Sequence, residues 1–290
     1  MKRYTWILLI ITSSVIAYGQ STRFSTAWFG PNALPVPEFG DGRIPKFTTL
    51  ELNSDYYFGF GDRTVNGYFR AEIPLLPERV SVKIWSSFAE HYWVSNQISN
   101  DRNMNGITSG KANGDIYLQS RILLLTEKKF RPSAIFNSTM KTASGTNVKQ
   151  SRYFDTPGYY FDIESGKSFD LNMSIVDDVR LVLNTGFLSW QTNSNTQNDA
   201  FMYALKLISK KDNLMMENTI SGYSGWKSKH QMYGSDYGDR PLIYSSRINY
   251  ILNNNIIFIQ YQYGLRDFPY NQVRLGWRTT LPFLTPNYKN

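Results

Sequence analysis

The stretch that decides the fold is YYFDIESGKSFDLNMSI, residues 159–175. Its odd positions are mainly apolar and its even positions mainly polar, which is typical of a β-strand with one apolar and one wet face. Strands of soluble proteins are usually about five or six residues long, so a strand of this length is unusual in a soluble domain. A tilted strand in the wall of a membrane barrel accommodates it, because such a strand can project beyond the bilayer.

The same alternation recurs along the chain from about residue 46 onward. Apolar residues on one face suit lipid, and polar residues on the other suit a wet lumen. The clearest examples are residues 50–58, 69–73, 80–88, 116–124, 179–187, 242–250 and 273–281. Four further segments alternate less cleanly, at residues 133–145, 200–209, 214–224 and 256–265.

The connections between these segments supply a second, independent signal. Short turns and longer polar connections alternate, as the periplasmic turns and outer loops of outer-membrane barrels do. Short turns fall near residues 76–78, 128–129, 176–178, 210–212 and 253–255, and longer connections near 96–114, 146–157, 192–199, 225–240 and 266–270. The sequence therefore predicts an all-β, antiparallel, up-and-down transmembrane barrel of about 12 strands over residues 46–285, preceded by a segment that is not a strand.

The N-terminus reads as a secretory signal peptide. Lys2 and Arg3 precede a short apolar run, and small residues end at Gly19, which predicts cleavage before Gln20. The chain has no cysteine, so disulfides and thiolate metal sites are excluded. No later segment approaches the length of a membrane helix. Export without a spanning helix predicts the outer membrane of a Gram-negative bacterium, because only a closed barrel otherwise satisfies every backbone group in lipid.

Residues 20–45 form a proline-rich extension before the first strand. The run Trp28–Pro37 contains three prolines and cannot be the interior of a strand or helix. Two interpretations stay open. The segment packs below the periplasmic mouth of the barrel, or it enters the lumen as a plug or constriction with Trp28 and Phe29 as anchors.

The alternation also predicts which charged side chains face the lumen. They either cross-link and fill the interior through ion pairs, or line a pore that binds a polar solute. The set is Glu51, Asp55, Arg70, Glu72, Lys83, Arg121, Asp162, Glu164, Asp170, Arg180, Arg247, Arg274 and Arg278. Two of them, Arg274 and Arg278, share the inner face of the last strand.

Several function classes are disfavoured. The net charge is +8, but the basic residues are scattered, so nucleic-acid binding is not expected. The two histidines, His91 and His230, lack partners of a hydrolase in suitable positions, so no enzyme is predicted, with a His91-dependent hydrolase as the third-ranked alternative. No catalytic residue, metal site or cofactor is predicted.

The run Lys141–Gly145, followed by residues 155–160 and a long alternating strand, resembles the phenol-degradation-pathway outer-membrane protein family. It is also similar to uncharacterised outer-membrane barrels common in Bacteroidota. The resemblance covers about residues 115–285 in layout and excludes the segment Trp28–Pro37. It implies a barrel that passes or binds small molecules, and no reaction.

The leading functional prediction is an outer-membrane channel or passive uptake barrel for small polar or aromatic solutes. The alternative is a structural or complex-forming barrel with a filled lumen. The expected partners are outer-membrane lipid, lipopolysaccharide and a small-molecule solute. A protein partner, bound through the outer loops or the N-terminal segment, is left open.

Overall fold

The computed structural model describes residues 25–171, 173–192, 196–225, 230–232 and 235–286. The predicted signal peptide and its cleavage site before Gln20 lie outside these ranges. Within them, no helix is long and apolar enough to span a membrane.

The described residues form fifteen strands and one short α-helix, α1 (Asn96–Asp101). The strands are β1 (Thr48–Phe58), β2 (Asp62–Leu76), β3 (Val80–Val94), β4 (Ser109–Ala112), β5 (Ile116–Leu125), β6 (Ser133–Lys141), β7 (Gly158–Asp170), β8 (Asp178–Thr192), β9 (Thr196–Lys211), β10 (Leu214–Gly225), β11 (His230–Met232), β12 (Ser235–Tyr237), β13 (Leu242–Leu252), β14 (Asn255–Arg266) and β15 (Asn271–Leu281). Single turns of 3₁₀-helix occur at Thr26–Trp28, Val148–Gln150 and Pro282–Leu284.

Twelve of these strands close into an antiparallel barrel in which β15 pairs with β1. The order around the wall is β1, β2, β3, β5, β6, β7, β8, β9, β10, β13, β14 and β15. Strand β4 is an additional strand on the upper part of β3, and β11 and β12 form a small separate hairpin. The predicted fold class is therefore confirmed.

Alternation along the strands sorts side chains between lipid and lumen as expected. In β1, Leu52 and Tyr56 are about 40% exposed on the outside, while Glu51 and Asp55 are almost completely buried inside. The same holds in β7, where Phe161 and Ile163 face outward and Asp162 and Glu164 are buried. An apolar outer surface around a polar interior is the arrangement that a bilayer stabilises.

The two ends of the barrel differ in their connections. Both termini of the wall, the start of β1 and the end of β15, lie at the end with short turns, which is periplasmic in barrels of this type. The opposite end carries the long loops, including α1 and β4. The connection expected at residues 192–199 is shorter than predicted, because β8 and β9 continue to the pair Thr192 and Thr196.

One predicted lumen residue does not lie in the lumen. Pairing between β6 and β7 stops at Ser133 and Gly166, so the last residues of β7 pair only with β8. Asp170 lies at the end of this two-stranded projection and is exposed. Its position in the alternation predicts a side chain on the inner face. At this point, however, β7 and β8 already extend beyond the closed barrel wall.

Residues 25–47 lie inside the barrel rather than below its mouth. They begin among the long loops and run through the lumen to β1 at the short-turn end. A main apolar cluster lies between this segment and the wall in the long-loop half. It comprises Phe29, Ala33, Leu34 and Val36 of the segment, with residues such as Trp190, Met202, Tyr223 and Tyr270 of the barrel.

Candidate functional site

The N-terminal segment, defined as residues 25–47, enters the lumen at the long-loop end. The Gly30 N–H donates to the carbonyl of Ser151 at 2.8 Å, and the Phe29 ring packs edge-on against Phe154 with 5.1 Å between centroids. Trp28 packs against the same cluster. Both predicted anchors, Trp28 and Phe29, therefore contact the outer loops and lie far from the periplasmic mouth.

Proline makes this segment suited to a position inside a barrel. An extended chain has no internal hydrogen bonds, and each proline removes one backbone donor that the wall would otherwise have to satisfy. At about 3.1 Å per residue, ten extended residues cross the ~30 Å hydrocarbon thickness. In the lower part of the segment, the backbone groups of residues 39–42 bond to charged side chains of the wall.

A clamp of wall side chains holds the lower part of the segment. Both oxygens of Glu164 accept hydrogen bonds, from the N–H groups of Gly40 and Gly42, each at 2.7 Å. Arg180 donates to the carbonyls of Asp41 (2.5 Å) and Gly42 (3.0 Å). Gly42 has φ +73, and a Cβ there would lie 2.9 Å from the Cα of Gly166. The clamp therefore requires glycine at this position.

Replacing Glu164 by Gln is expected to loosen the clamp. An amide keeps one acceptor but loses the charge that Arg121 meets at 2.9 Å, and one glycine N–H is left without its acceptor. An unmet buried donor costs about 1–3 kcal/mol. Limited proteolysis of the refolded protein should then cut within residues 25–47 faster than in the wild type. Glu78→Gln, at an exposed turn, is the matched control. Equal cutting rates in both variants would contradict the clamp.

Glu38 is held at the middle of the lumen by two arginines. Its carboxylate meets Arg70 at 2.5 Å and Arg274 at 2.7 Å. Carboxylates of the wall also hold the two arginines, since Arg70 meets Glu51 at 3.4 Å and Arg274 meets Asp55 at 2.6 Å. Three strands, β1, β2 and β15, are thus joined to the segment through one charge cluster.

A cavity of about 420 Å³ lies beside the segment. It follows β10, β13 and β14 and includes Met215, Ile256 and Thr280, next to the strand ends, so it extends to the short-turn end. Charged groups line it together with amides, hydroxyls and a few apolar side chains. The charged groups include Glu38, Glu51, Arg70, Glu72, Lys83, Arg121, Lys206, Glu217, Arg247 and Arg278.

Most cations of this cavity already have partners. Lys206 donates to the Phe39 carbonyl at 2.7 Å and lies 3.6 Å from Glu217. Arg247 donates to Gln260 at 2.8 Å and stacks on the Phe258 ring. Arg278 has no hydrogen bond or ion pair with the described part of the chain. Its guanidinium group is the cavity charge most available to a solute.

A second cavity of about 60 Å³ lies closer to the long loops. It is lined by Pro35 and Pro37 of the segment and by an aromatic set of the wall. Glu38 and Trp85 border both cavities. The aromatic set is Tyr57, Tyr68, Trp85, Tyr117, Tyr153, Tyr160 and Trp190. A volume of this size holds a few water molecules and no larger solute.

Buried charges close the long-loop mouth. Arg152 donates to Glu90 at 2.9 Å and to Asp62 at 2.7 Å, and Arg102 also meets Asp62 at 2.7 Å. Glu90 in turn accepts from Asn32 of the segment at 2.7 Å. We call Asp62, Glu90, Arg102 and Arg152 the mouth network. Burial alone would lower the pKa of Arg152, but Glu90 and Asp62 outweigh it and raise that pKa above its usual value.

A further ion-pair group lies at the short-turn end. Glu127, in the turn after β5, meets Arg180 at 2.6 Å and Lys167 at 3.1 Å. Burial raises the pKa of Glu127, but hydrogen bonds from Arg180, the Ser168 N–H and Lys167 outweigh it and bring that pKa to about 2. Glu127 therefore stays ionised in mildly acidic medium and keeps Arg180 oriented toward the segment.

The predicted lumen residues divide into four groups by contact. Glu164 and Arg180 hold the segment, and Asp55 with Arg274 forms a buried pair behind Glu38. Asp162 accepts from Asn137 at 2.7 Å and from Asn184 at 2.5 Å, which binds strands together. The residues that line the large cavity are Glu51, Arg70, Glu72, Lys83, Arg121, Arg247 and Arg278.

The sequence interpretation missed several residues of the site. Glu38 lies in the proline-rich run, where no alternation exists to place it. Arg102 and Arg152 lie in loops that bear no periodicity at all. Lys206 and Glu217 do alternate with apolar neighbours, and this signal could have identified them despite the less regular strands around them.

The hydrolase alternative needs a nucleophile beside His91, and Ser87 or Ser95, near it in the sequence, would have to serve. His91 is exposed on the outer face of β3 and stacks on Trp93 with 4.6 Å between centroids. Ser87 is buried on the other face. Ser95 accepts from the Ile98 N–H at 3.2 Å and caps α1. Among the described residues, no group of three or more metal-ligating side chains could hold an ion.

Known proteins are similar to this chain in structure but not in sequence. Neither a protein-family model nor a curated protein matches the sequence. The COG4313 outer membrane channel from Pseudomonas putida F1 is 11% identical with a TM-score of 0.58, over 84% of this chain and 100% of that one. The NanC porin is 9% identical with a TM-score of 0.53, over 80% of this chain and 100% of that one. The likeness shows a shared barrel fold.

Proposed function

We propose that this protein is an outer-membrane channel for small polar solutes, with no enzymatic activity, and that the structure is its closed state. The observation that carries the proposal is the cavity of about 420 Å³ within the barrel. An interior that served only to hold strands together would have its space filled by side chains. Here charged side chains border open space that reaches the short-turn end. The two similar structures, named as a channel and a porin, support the proposal.

The packing of the long-loop half supports the closed state. The apolar cluster and the mouth network block the path between the cavity and the outer surface. A solute would cross after the loops or the segment move, because the 60 Å³ cavity on this path holds only a few water molecules. Such loop motions are common for functional loops on a rigid barrel.

The alternative function is a structural barrel whose interior never opens. One observation favours it, which is the completeness of the mouth network: its charged groups pair with one another and with the segment.

Single-channel recording of the refolded full chain in planar bilayers separates the two functions. We expect brief opening steps over a closed baseline in 1 M KCl. Liposome swelling with small sugars and amino acids would then rank solutes. A folded barrel, shown by a heat-modifiable shift on gels, that stays silent with and without residues 21–45 would contradict the channel and favour the structural barrel.

A further inference from the structure

Glu38 occupies a position that a free carboxylate could take. Two guanidinium donors converge on it, the Arg70 Nη2 at 2.5 Å and the Arg274 Nη1 at 2.7 Å. Paired guanidinium groups are the usual protein partners of a carboxylate. The group that fills this position belongs to the N-terminal segment and not to the wall.

The wall holds both arginines in place without Glu38. Arg274 donates from Nε and Nη2 to the two oxygens of Asp55, at 2.6 and 2.9 Å. Arg70 donates to Glu51 at 3.4 Å and to the Tyr68 hydroxyl at 2.7 Å. The guanidinium carbons of Arg70 and Arg274 lie 5.3 and 4.9 Å from the centre of the Tyr68 ring. The remaining donors therefore stay oriented toward one point of the lumen.

Glu38 is also the most accessible member of this cluster. Its side chain is 37% exposed, whereas Glu51 and Asp55 are 3% and 1% exposed. Residues 34–37, just before it, make no hydrogen bond with the described part of the barrel. The segment is anchored above this stretch through Asn32 and below it through the Glu164 clamp. The Glu38 side chain can therefore leave without breaking either anchor.

The two arginines lie where a solute would pass through the lumen. Glu38 borders both cavities, Arg70 borders the larger one and Arg274 the smaller. A solute that moves between the two cavities passes these donors. Arg247 and Arg278, on the same side of the large cavity, add positive potential near Glu51.

We propose that Arg70 and Arg274 form a binding site for the carboxylate of a small organic anion, and that Glu38 occupies it as a tethered competitor. This names the solute class of the proposed channel and rests on that function only for the role in transport. A carboxylate from solution replaces Glu38 at the two arginines. The net charge of the cluster does not change in this exchange, so it avoids exposing a bare guanidinium pair.

Glu38→Gln is the decisive variant, and acetate is the probe. The amide keeps the shape of the side chain but competes poorly for two guanidinium groups. A tethered group acts at a millimolar or higher effective concentration, so its removal should lower the acetate midpoint by about tenfold or more. The acetate midpoint is the acetate concentration that gives half of the full rise in melting temperature. It is read from thermal unfolding of the refolded protein in detergent, with acetate replacing chloride at constant ionic strength.

Glu217→Gln is the matched control, because Glu217 also lines the large cavity but belongs to the wall and pairs with Lys206 at 3.6 Å. It removes the same charge, yet its acetate midpoint should equal that of the wild type. Equal midpoints for Glu38→Gln and wild type, or equal shifts in both variants, would overturn the proposal.

Conductance of the same proteins separates this site from the channel function. In an active channel, acetate should reduce the chloride current of Glu38→Gln at lower concentration than that of the wild type. Silence of every variant, together with the expected midpoint shift, would overturn the channel and retain the carboxylate site. Currents in every variant without any acetate effect would retain the channel and overturn the site.

Discussion

A chain that lacks residues 21–45 is expected to form the same barrel and to conduct ions in steps several-fold larger than those of the full chain. Eight-stranded barrels are just filled by their own side chains, whereas barrels of 16 to 18 strands enclose an aqueous channel. Twelve strands lie between these limits. The space that side chains leave open here is occupied by the N-terminal segment, and its removal joins the cavity to the mouth.

The deletion also changes the charge of the lumen. Arg70, Arg274, Arg180 and Lys206 lose the Glu38 carboxylate or the backbone carbonyls that they now contact. The deleted barrel should therefore prefer anions, which a reversal potential in a KCl gradient measures. Adding a synthetic peptide of residues 25–45 back should reduce the current.

Cleavage after folding provides a second route to the same test. A protease site placed next to Lys46, which is exposed, allows the segment to be released from a barrel that has already formed. A cleaved or deleted barrel that migrates as folded but conducts no better than the full chain would contradict an occluding role for the segment.

Arg152→Met is expected to destabilise the protein strongly and to release the long loops. The substitution removes the contacts with Asp62, Glu90 and the Thr64 hydroxyl, and the stacking of the guanidinium on Tyr92 at 4.4 Å. Breaking a buried pair from one side costs about 3–5 kcal/mol, because the remaining charges stay buried without a partner. A urea titration in micelles, followed by tryptophan fluorescence, should show the loss.

Arg152 also connects the loops to the segment. Its guanidinium lies against Gly30, so close that an added Cβ would be 2.6 Å from Cζ. Channel openings should therefore become longer in Arg152→Met. Lys149→Met is the matched control, because Lys149 lies exposed in the same loop. Similar unfolding midpoints and similar opening times in the two variants would show that the mouth network does not hold the loops.

Strand parity could be predicted from sequence wherever the two faces of the wall meet different surroundings. In residues 159–175, lipid outside and polar groups inside produce a clear alternation. The signal weakens in β9, whose inward residues Ala200 and Met202 pack against the apolar cluster and not against water. Apolar side chains then occupy both faces, and period two is lost from the sequence although the strand is regular.

The sequence by itself determined the barrel, its number of strands and the inward position of most charged residues, because these depend on local alternation and on the spacing of turns. Only the tertiary structure decided where residues 25–47 lie. A proline-rich segment carries no periodicity, and its position depends on side chains more than a hundred residues away, such as Glu164 and Arg180. The partners of Glu38 and Arg152 were undetermined for the same reason, since ion pairs between distant segments leave no local pattern.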